Sequence, residues 1–259
     1  MLTGIVAVPI VVGIVYYGSP LLFLSFVAAV TLMGVHEYFT IIERIGISGF
    51  PTHGIILSFL LLLSFYFNGS FMMEWGLIAS VTLFAAWFFH EDNVKVAMDQ
   101  ISFTLFGVLY VAGLGGYSLL IRNFGDGERL IFFLLLIVWL GDIAAYYGGK
   151  HFGKKPLAPV VSPNKTMEGA IAGLVGNLVA GAIAGYWLLG HIAMAHCLLL
   201  ALICSTIGQF GDLAESLLKR HAGIKNSGDV LPGHGGILDR IDSLLFAGPM
   251  FYCYFKLVL

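Results

Sequence analysis

The chain has 259 residues, 59% of them hydrophobic and 11% charged, and its mean hydropathy is +0.93. Soluble domains carry roughly 25% charged residues, so 13 basic and 15 acidic side chains are too few to cover a water-soluble body of this size. A soluble nucleotide-fold enzyme, a nucleic-acid binder with a basic face and a disordered scaffold are excluded. Each charge becomes informative, because a charge in hydrocarbon costs about 2.5–3.5 kcal/mol or more unless it is paired or hydrated.

A helix crossing the bilayer core needs about 20 apolar residues, with about 17–25 tolerated. Apolar runs predict about nine such helices, at 2–17, 21–42, 54–68, 71–90, 101–121, 129–149, 169–190, 194–216 and 243–259. The fold expected is therefore an all-α polytopic integral membrane protein, since backbone in lipid must satisfy its own hydrogen bonds. The start lacks a basic n-region and reads as the first span. Gly18-Ser19-Pro20 and Asn68-Gly69-Ser70 mark tight turns. Residues 1–128 form a chemically bland N-terminal region, in which Glu37, Glu43 and Arg44 mark a membrane boundary at the end of the second span. Residues 129–259 hold nearly all the chemistry-bearing motifs.

Lys and Arg set the orientation. With the N-terminus in the cytoplasm, the cytoplasmic loops hold Arg44, Lys95, Lys150, Lys154, Lys155, Lys165, Lys219, Arg220, Lys225 and Arg240, which is 10 of the 13 basic residues. The polar chemistry is thus expected on the cytoplasmic face of the cell membrane. Cys197, Cys204 and Cys253 sit in apolar runs without ligand spacing and read as small buried hydrophobes. The small-residue steps Gly169–Gly173 and Gly181–Gly185 favour close helix packing, within the subunit ahead of a dimer face.

Two segments carry chemistry. The first runs from Asp142 through Tyr146 into a Gly-rich basic loop. From Gly148 to Lys155 it nearly matches a nucleotide-binding phosphate loop, but Lys155 stands where Ser or Thr would hold magnesium, and the segment follows a membrane helix rather than a strand. Backbone amides and lysines could still receive an anion. Ser162, Asn164, Lys165 and Thr166 follow, with Thr166 placed to cap the next helix, whose N-terminus suits an anion. In the second segment Asp212, Glu215, Ser216 and Lys219 share one helix face at i, i+3, i+4 and i+7. A Gly-rich hinge then leads to Asp239 and Asp242, a second carboxylate pair, and the two pairs could converge on a hard divalent cation.

Ser216-x-x-Lys219-Arg220-x4-Lys225-x5-Leu231-Pro232-Gly233-His234-Gly235-Gly236-x2-Asp239-Arg240-x-Asp242 resembles the signature of the phosphatidate cytidylyltransferases. Asp142-x3-Tyr146-x-Gly148, Leu157-Ala158-Pro159 and Ser162–Gly169 resemble the same family, so the likeness covers roughly residues 139–245. In the N-terminal half it is limited to hydrophobicity and an acidic residue, Glu37. One departure is Asn226, where the family usually has Asp.

The resemblance implies cytidylyl transfer from CTP to phosphatidic acid, with Mg²⁺ as cofactor and room for a second cation. It further implies a homodimer in the lipid bilayer that binds no nucleic acid. It assigns the cation to Asp212 and Asp239, supported by Glu215, Asp242 and Asp142. Lys219, Arg220, Lys225 and Arg240 would neutralise phosphate, and His234 would meet the nucleotide. Ser162, Asn164, Lys165, Thr166, Ser216, Gly235 and Gly236 would contact substrate. Competing expectations are a CTP-dependent lipid kinase, a cytidylyltransferase for another lipid and an ion-coupled transporter, although no counterpart of the 141–169 or 211–242 segments precedes residue 128.

Overall fold

The computed structural model describes residues 2–90, 94–228 and 235–259. It is 80% helical, with ten α-helices among the described residues: α1 (Leu2–Tyr17), α2 (Pro20–Arg44), α3 (Pro51–Tyr66), α4 (Met72–His90), α5 (Val94–Gly107), α6 (Tyr117–Arg122), α7 (Gly127–Phe152), α8 (Met167–Leu188), α9 (Met194–His221) and α10 (Leu238–Val258). A π-helical turn, Val108–Gly113, links α5 to α6.

Among the described residues six helical segments are long and apolar enough to cross a membrane: Pro20–Arg44, Val96–Arg122, Gly127–Phe152, Met167–Leu188, Met194–His221 and Leu238–Val258. The protein is an integral membrane protein. Three further apolar helices, Val8–Tyr17, Pro51–Tyr66 and Met72–Phe88, match predicted spans but are shorter.

The predicted fold is all-α, and the structure adds one exception. The loop after α7 is an antiparallel hairpin of β1 (Pro156–Ala158) and β2 (Ser162–Thr166), with Pro156 opposite Thr166 and Ala158 opposite Ser162. Pro156, Pro159 and Pro163 cannot donate to a ladder, which is why the run reads as a loop.

The chain divides into two compact units. The first comprises Met1–Leu120 and Leu218–Arg240, the second Ile121–Leu217 and Ile241–Leu259. In the first unit, Ser19 caps α2 by accepting from Leu22 N (3.2 Å), and Pro20 occupies the first turn, as the Gly-Ser-Pro turn predicts. Asn68 (φ 57°) and Gly69 (φ 76°) turn α3 into α4. The core forms around α2: the Tyr38 hydroxyl donates to Phe103 O (2.9 Å), and Phe50 N donates to Thr104 Oγ1 (2.9 Å). A Cβ at Gly107 would lie 2.1 Å from the Tyr38 ring, so only glycine lets α5 approach α2 this closely.

In the second unit small residues bring helices together. A Cβ on Gly141 would meet Asn177 Oδ1 at 2.1 Å, one on Gly148 would meet Ala172 Cβ at 2.2 Å, and one on Gly176 would meet Ala144 Cβ at 2.4 Å, so α7 and α8 interlock. Gly169 and Gly173 face Ala145 of α7, whereas Gly181 and Gly185 face Ala201 and Cys197 of α9. Both glycine steps are thus consumed within the subunit. Cys197 and Cys204 are fully buried, and Cys253 is partly so.

Candidate functional site

In the second unit the site residues lie on α7, on the hairpin that precedes α8, on α9 and on the first turns of α10. Thr166 caps α8: its Oγ1 accepts from Gly169 N (3.1 Å), as its position before an apolar run predicts. Lys165 forms an ion pair with Asp212 on α9. Ser162 is half-buried in β2, and Asn164 is exposed. The Gly-rich loop holds its own anion. Glu168 Oε2 accepts from the backbone amides of Lys154 (3.0 Å) and Lys155 (3.2 Å), so these donors serve an internal carboxylate while the side chains of Lys150, Lys154 and Lys155 remain exposed.

Asp242 is 9% exposed and lies within electrostatic reach of Asp212, Glu215 and Asp142. Glu215 is fully buried, and Ser216 beside it is 8% exposed. Close packing enforces the grouping, since a Cβ on Gly211 would sit 2.5 Å from Asp242 O. Four carboxylates in one neighbourhood repel one another. Lys165 offsets one of them, and Asp242 Oδ1 accepts from Ser243 N (2.6 Å). Such an all-oxygen donor set fits a hard cation. Among the described residues no three His, Cys, Asp or Glu side chains form a ready-made cage. A cavity of about 20 Å³ adjoins the group, lined by Asp142, Asn177, Ser205, Gln209 and Ser243 among others. Among the described residues its buried Asn177 Oδ1 and Ser205 Oγ find no hydrogen-bond partner.

In the first unit, α9 ends in a glycine cap. Gly223 (φ 69°) adopts the left-handed conformation, Ile224 N donates to Lys219 O (2.9 Å), and Gly223 N donates to Arg220 O (3.1 Å). The cap turns the chain so that Lys219 reaches Asp239 Oδ1 as an ion pair with both side chains 10% exposed. The other oxygen, Asp239 Oδ2, accepts from Gly236 N (2.8 Å) and Ser227 N (3.0 Å). Gly235 (φ 76°) and Gly236 cannot carry side chains here: a Cβ on Gly235 would lie 2.6 Å from Asp239 Oδ2. Arg220, Lys225, Asn226 and Arg240 are exposed, and Arg220 Nη1 donates to Ile224 O (3.1 Å). His234, expected to meet the nucleotide, lies outside the described residues with Asp229–Gly233.

Of the five carboxylates expected at the cation, Asp212, Glu215 and Asp142 lie within electrostatic reach of Asp242 in the second unit, and Asp239 in the first unit holds the Lys219 ammonium. Two residues were missed. Ser227, on the hinge, donates through its backbone to Asp239, and Glu37, read as a boundary marker, is 3% exposed and accepts from Ser227 Oγ (2.8 Å). The available signal for Glu37 was its cost: a carboxylate inside an apolar run requires partners.

A phosphatidate cytidylyltransferase from Bacillus subtilis (strain 168) is 35% identical over 97% of this chain and 95% of its own length. Proteins of the same name from Staphylococcus saprophyticus and Staphylococcus aureus (strain COL) are 44% and 46% identical, each over 58% of this chain and 56% of the relative. The sequence profile of the cytidylyltransferase family matches residues 1–258. The chain, with its carboxylate group on three membrane helices, belongs to the cytidylyltransferase family.

Proposed function

We propose that the protein transfers the cytidylyl group of CTP to phosphatidic acid, releasing pyrophosphate and forming CDP-diacylglycerol. The observation that carries this reading is the group Asp142, Asp212, Glu215 and Asp242 with Lys165 beside it, in a chain whose relatives bear the phosphatidate cytidylyltransferase name. A phosphate oxygen of the lipid attacks the α-phosphorus of CTP, and the bond from that phosphorus to the bridging oxygen of the pyrophosphate breaks. The lipid phosphate is ionised at neutral pH, so no strong base is needed. Bringing two polyanions together and stabilising the charge on the leaving group are what remain.

One or two of Asp142, Asp212, Glu215 and Asp242 would hold Mg²⁺ together with substrate phosphate, and Asn177 Oδ1 and Ser205 Oγ suit a second cation of oxygen preference in the adjoining cavity. A bound divalent cation would neutralise phosphate charge and steady the departing pyrophosphate. Lys165, Lys219, Arg220, Lys225 and Arg240 supply positive charge to phosphate, with Ser162, Asn164, Thr166 and Ser216 as hydrogen-bonding groups. Lys219 is held in place by Asp239 until substrate phosphate competes for it. We further propose nine membrane crossings with the N-terminus and the active site in the cytoplasm. We also propose a homodimer whose interface lies away from the glycine steps of α8, which are occupied within the subunit.

Purified protein with labelled CTP, phosphatidic acid and Mg²⁺ should yield one labelled lipid and one pyrophosphate per turnover. Release of CDP with an unlabelled nucleoside-free lipid product would replace this reading by phosphoryl transfer. No lipid product from folded protein would refute both.

A further inference from the structure

The first half of the chain carries few polar residues, yet one of them reaches the signature loop. Glu37 lies on the buried face of α2, beside Val35, Tyr38, Ile41 and Ile42, none of which is exposed. Both of its carboxylate oxygens are engaged. Oε1 accepts from Ile237 N (2.8 Å), and Oε2 accepts from Leu238 N (2.8 Å) and Ser227 Oγ (2.8 Å). Leu238 is the first residue of α10, so Glu37 takes two backbone amides that have no partner within that helix. It acts as an N-cap supplied from about 200 residues away in sequence, and its charge complements the helix dipole.

Two glycines make room for it. A Cβ on Gly236 would lie 2.3 Å from Glu37 Oε2 and 2.1 Å from Ser227 Oγ, and one on Gly228 would lie 2.8 Å from Glu37 Oε1. Ser227 Oγ also stands 3.1 Å from Asp239 Oδ2, so the hydroxyl bridges the two carboxylates. Asp239 in turn holds Lys219. The chain of contacts therefore runs from Glu37 through Ser227 and the start of α10 to Asp239 and Lys219.

We propose that Glu37 is a positioning residue for nucleotidyl transfer. It clamps Ser227 and the first turn of α10, and thereby sets the Asp239–Lys219 pair at the orientation in which Lys219 meets phosphate. The proposal rests on the cytidylyl-transfer reading for its kinetic part and on geometry alone for the clamp. Glu37→Gln keeps the size of the side chain but replaces one acceptor oxygen by an NH₂ group, which would face an N–H donor or the Ser227 hydroxyl.

The test compares wild type with Glu37→Gln and, from the opposite side of the contact, Gly236→Ala. The exchange rates of the Ile237 and Leu238 amides are measured alongside kcat and both KM values per folded molecule. The expected result for each variant is exchange at these amides faster by about tenfold or more. The kcat should fall about tenfold or more in each, and in Glu37→Gln the KM for CTP and for phosphatidic acid should stay within about twofold of wild type. The double variant should be no worse than the weaker single one, because both break the same contact. Unchanged exchange in Glu37→Gln would overturn the clamp. Faster exchange with wild-type kcat, or a loss confined to the yield of folded protein, would overturn the positioning role. If the wild-type protein makes no CDP-diacylglycerol, the functional reading falls, whereas the exchange comparison still decides the clamp.

Discussion

Asp212 has two electrostatic neighbours of opposite kind, the Lys165 ammonium paired with it and the buried Asp242 carboxylate within reach. With both side chains of the Lys165 pair about a third exposed, the pair itself contributes little to stability. The value of Asp212 should instead appear in the reaction. Asp212→Ala should lower Mg²⁺-dependent lipid labelling by about 100-fold or more, while the thermal midpoint in detergent stays within a few degrees of wild type. Near-normal turnover would remove Asp212 from the cation site. This residue was legible in the sequence because Asp212, Glu215, Ser216 and Lys219 keep helical spacing, and the structure keeps them on the continuous helix α9. Glu37 was not legible in the same way. Its cost in an apolar run was visible, but its partners lie 190–201 residues on, and only the fold brings them together.

Helix boundaries show why hydropathy succeeds and where it stops. The turns at Gly18-Ser19-Pro20 and Asn68-Gly69-Ser70 and the Thr166 cap stand where backbone chemistry places them. However, α9 continues past the predicted end at 216 to His221, and α10 begins at Leu238 rather than 243. Both extensions are polar turns bearing site residues, which a hydropathy criterion cuts off although their backbone is helical. Glycine content likewise does not reveal which glycines are structural. On α8, Gly176 faces Ala144 Cβ with 2.4 Å for an added Cβ, whereas Gly76 on α4 has nothing within 4 Å. Gly176→Ala should therefore destabilise the protein by about 1–3 kcal/mol through overpacking. Gly76→Ala should be neutral or stabilising by up to about 1 kcal/mol through helix propensity. Thermal unfolding of both variants in detergent checks the contrast. Equal midpoints would mean that α7 and α8 can separate without cost.

At the scale of the whole molecule, hydropathy anticipated nine apolar helices, and length divides them. A helix of 16 residues such as α3 spans about 24 Å at 1.5 Å per residue, short of a hydrocarbon core of about 30 Å. It can cross only if the bilayer thins or flanking residues reach to the interface. By contrast α8, with 22 residues, and α9, with 28, are each long enough to cross. If each does, the loops before α8 and after α9 open to the same compartment, and the basic residues of both predict that this compartment is the cytoplasm. The turn between α8 and α9, where His191 is exposed and within 3.3 Å of Asp126, then faces outward. Cysteine labelling in cells tests this directly. Cys197 and Cys204 are fully buried, so only Cys253 needs replacement by serine to lower the background. A membrane-impermeant maleimide applied to intact cells should label His191→Cys. Asn164→Cys and Asn226→Cys, both at exposed positions, should react only after permeabilisation. Labelling of either from outside would reverse the orientation or remove a crossing, and would place the nucleotide site on the side of the membrane where CTP is absent.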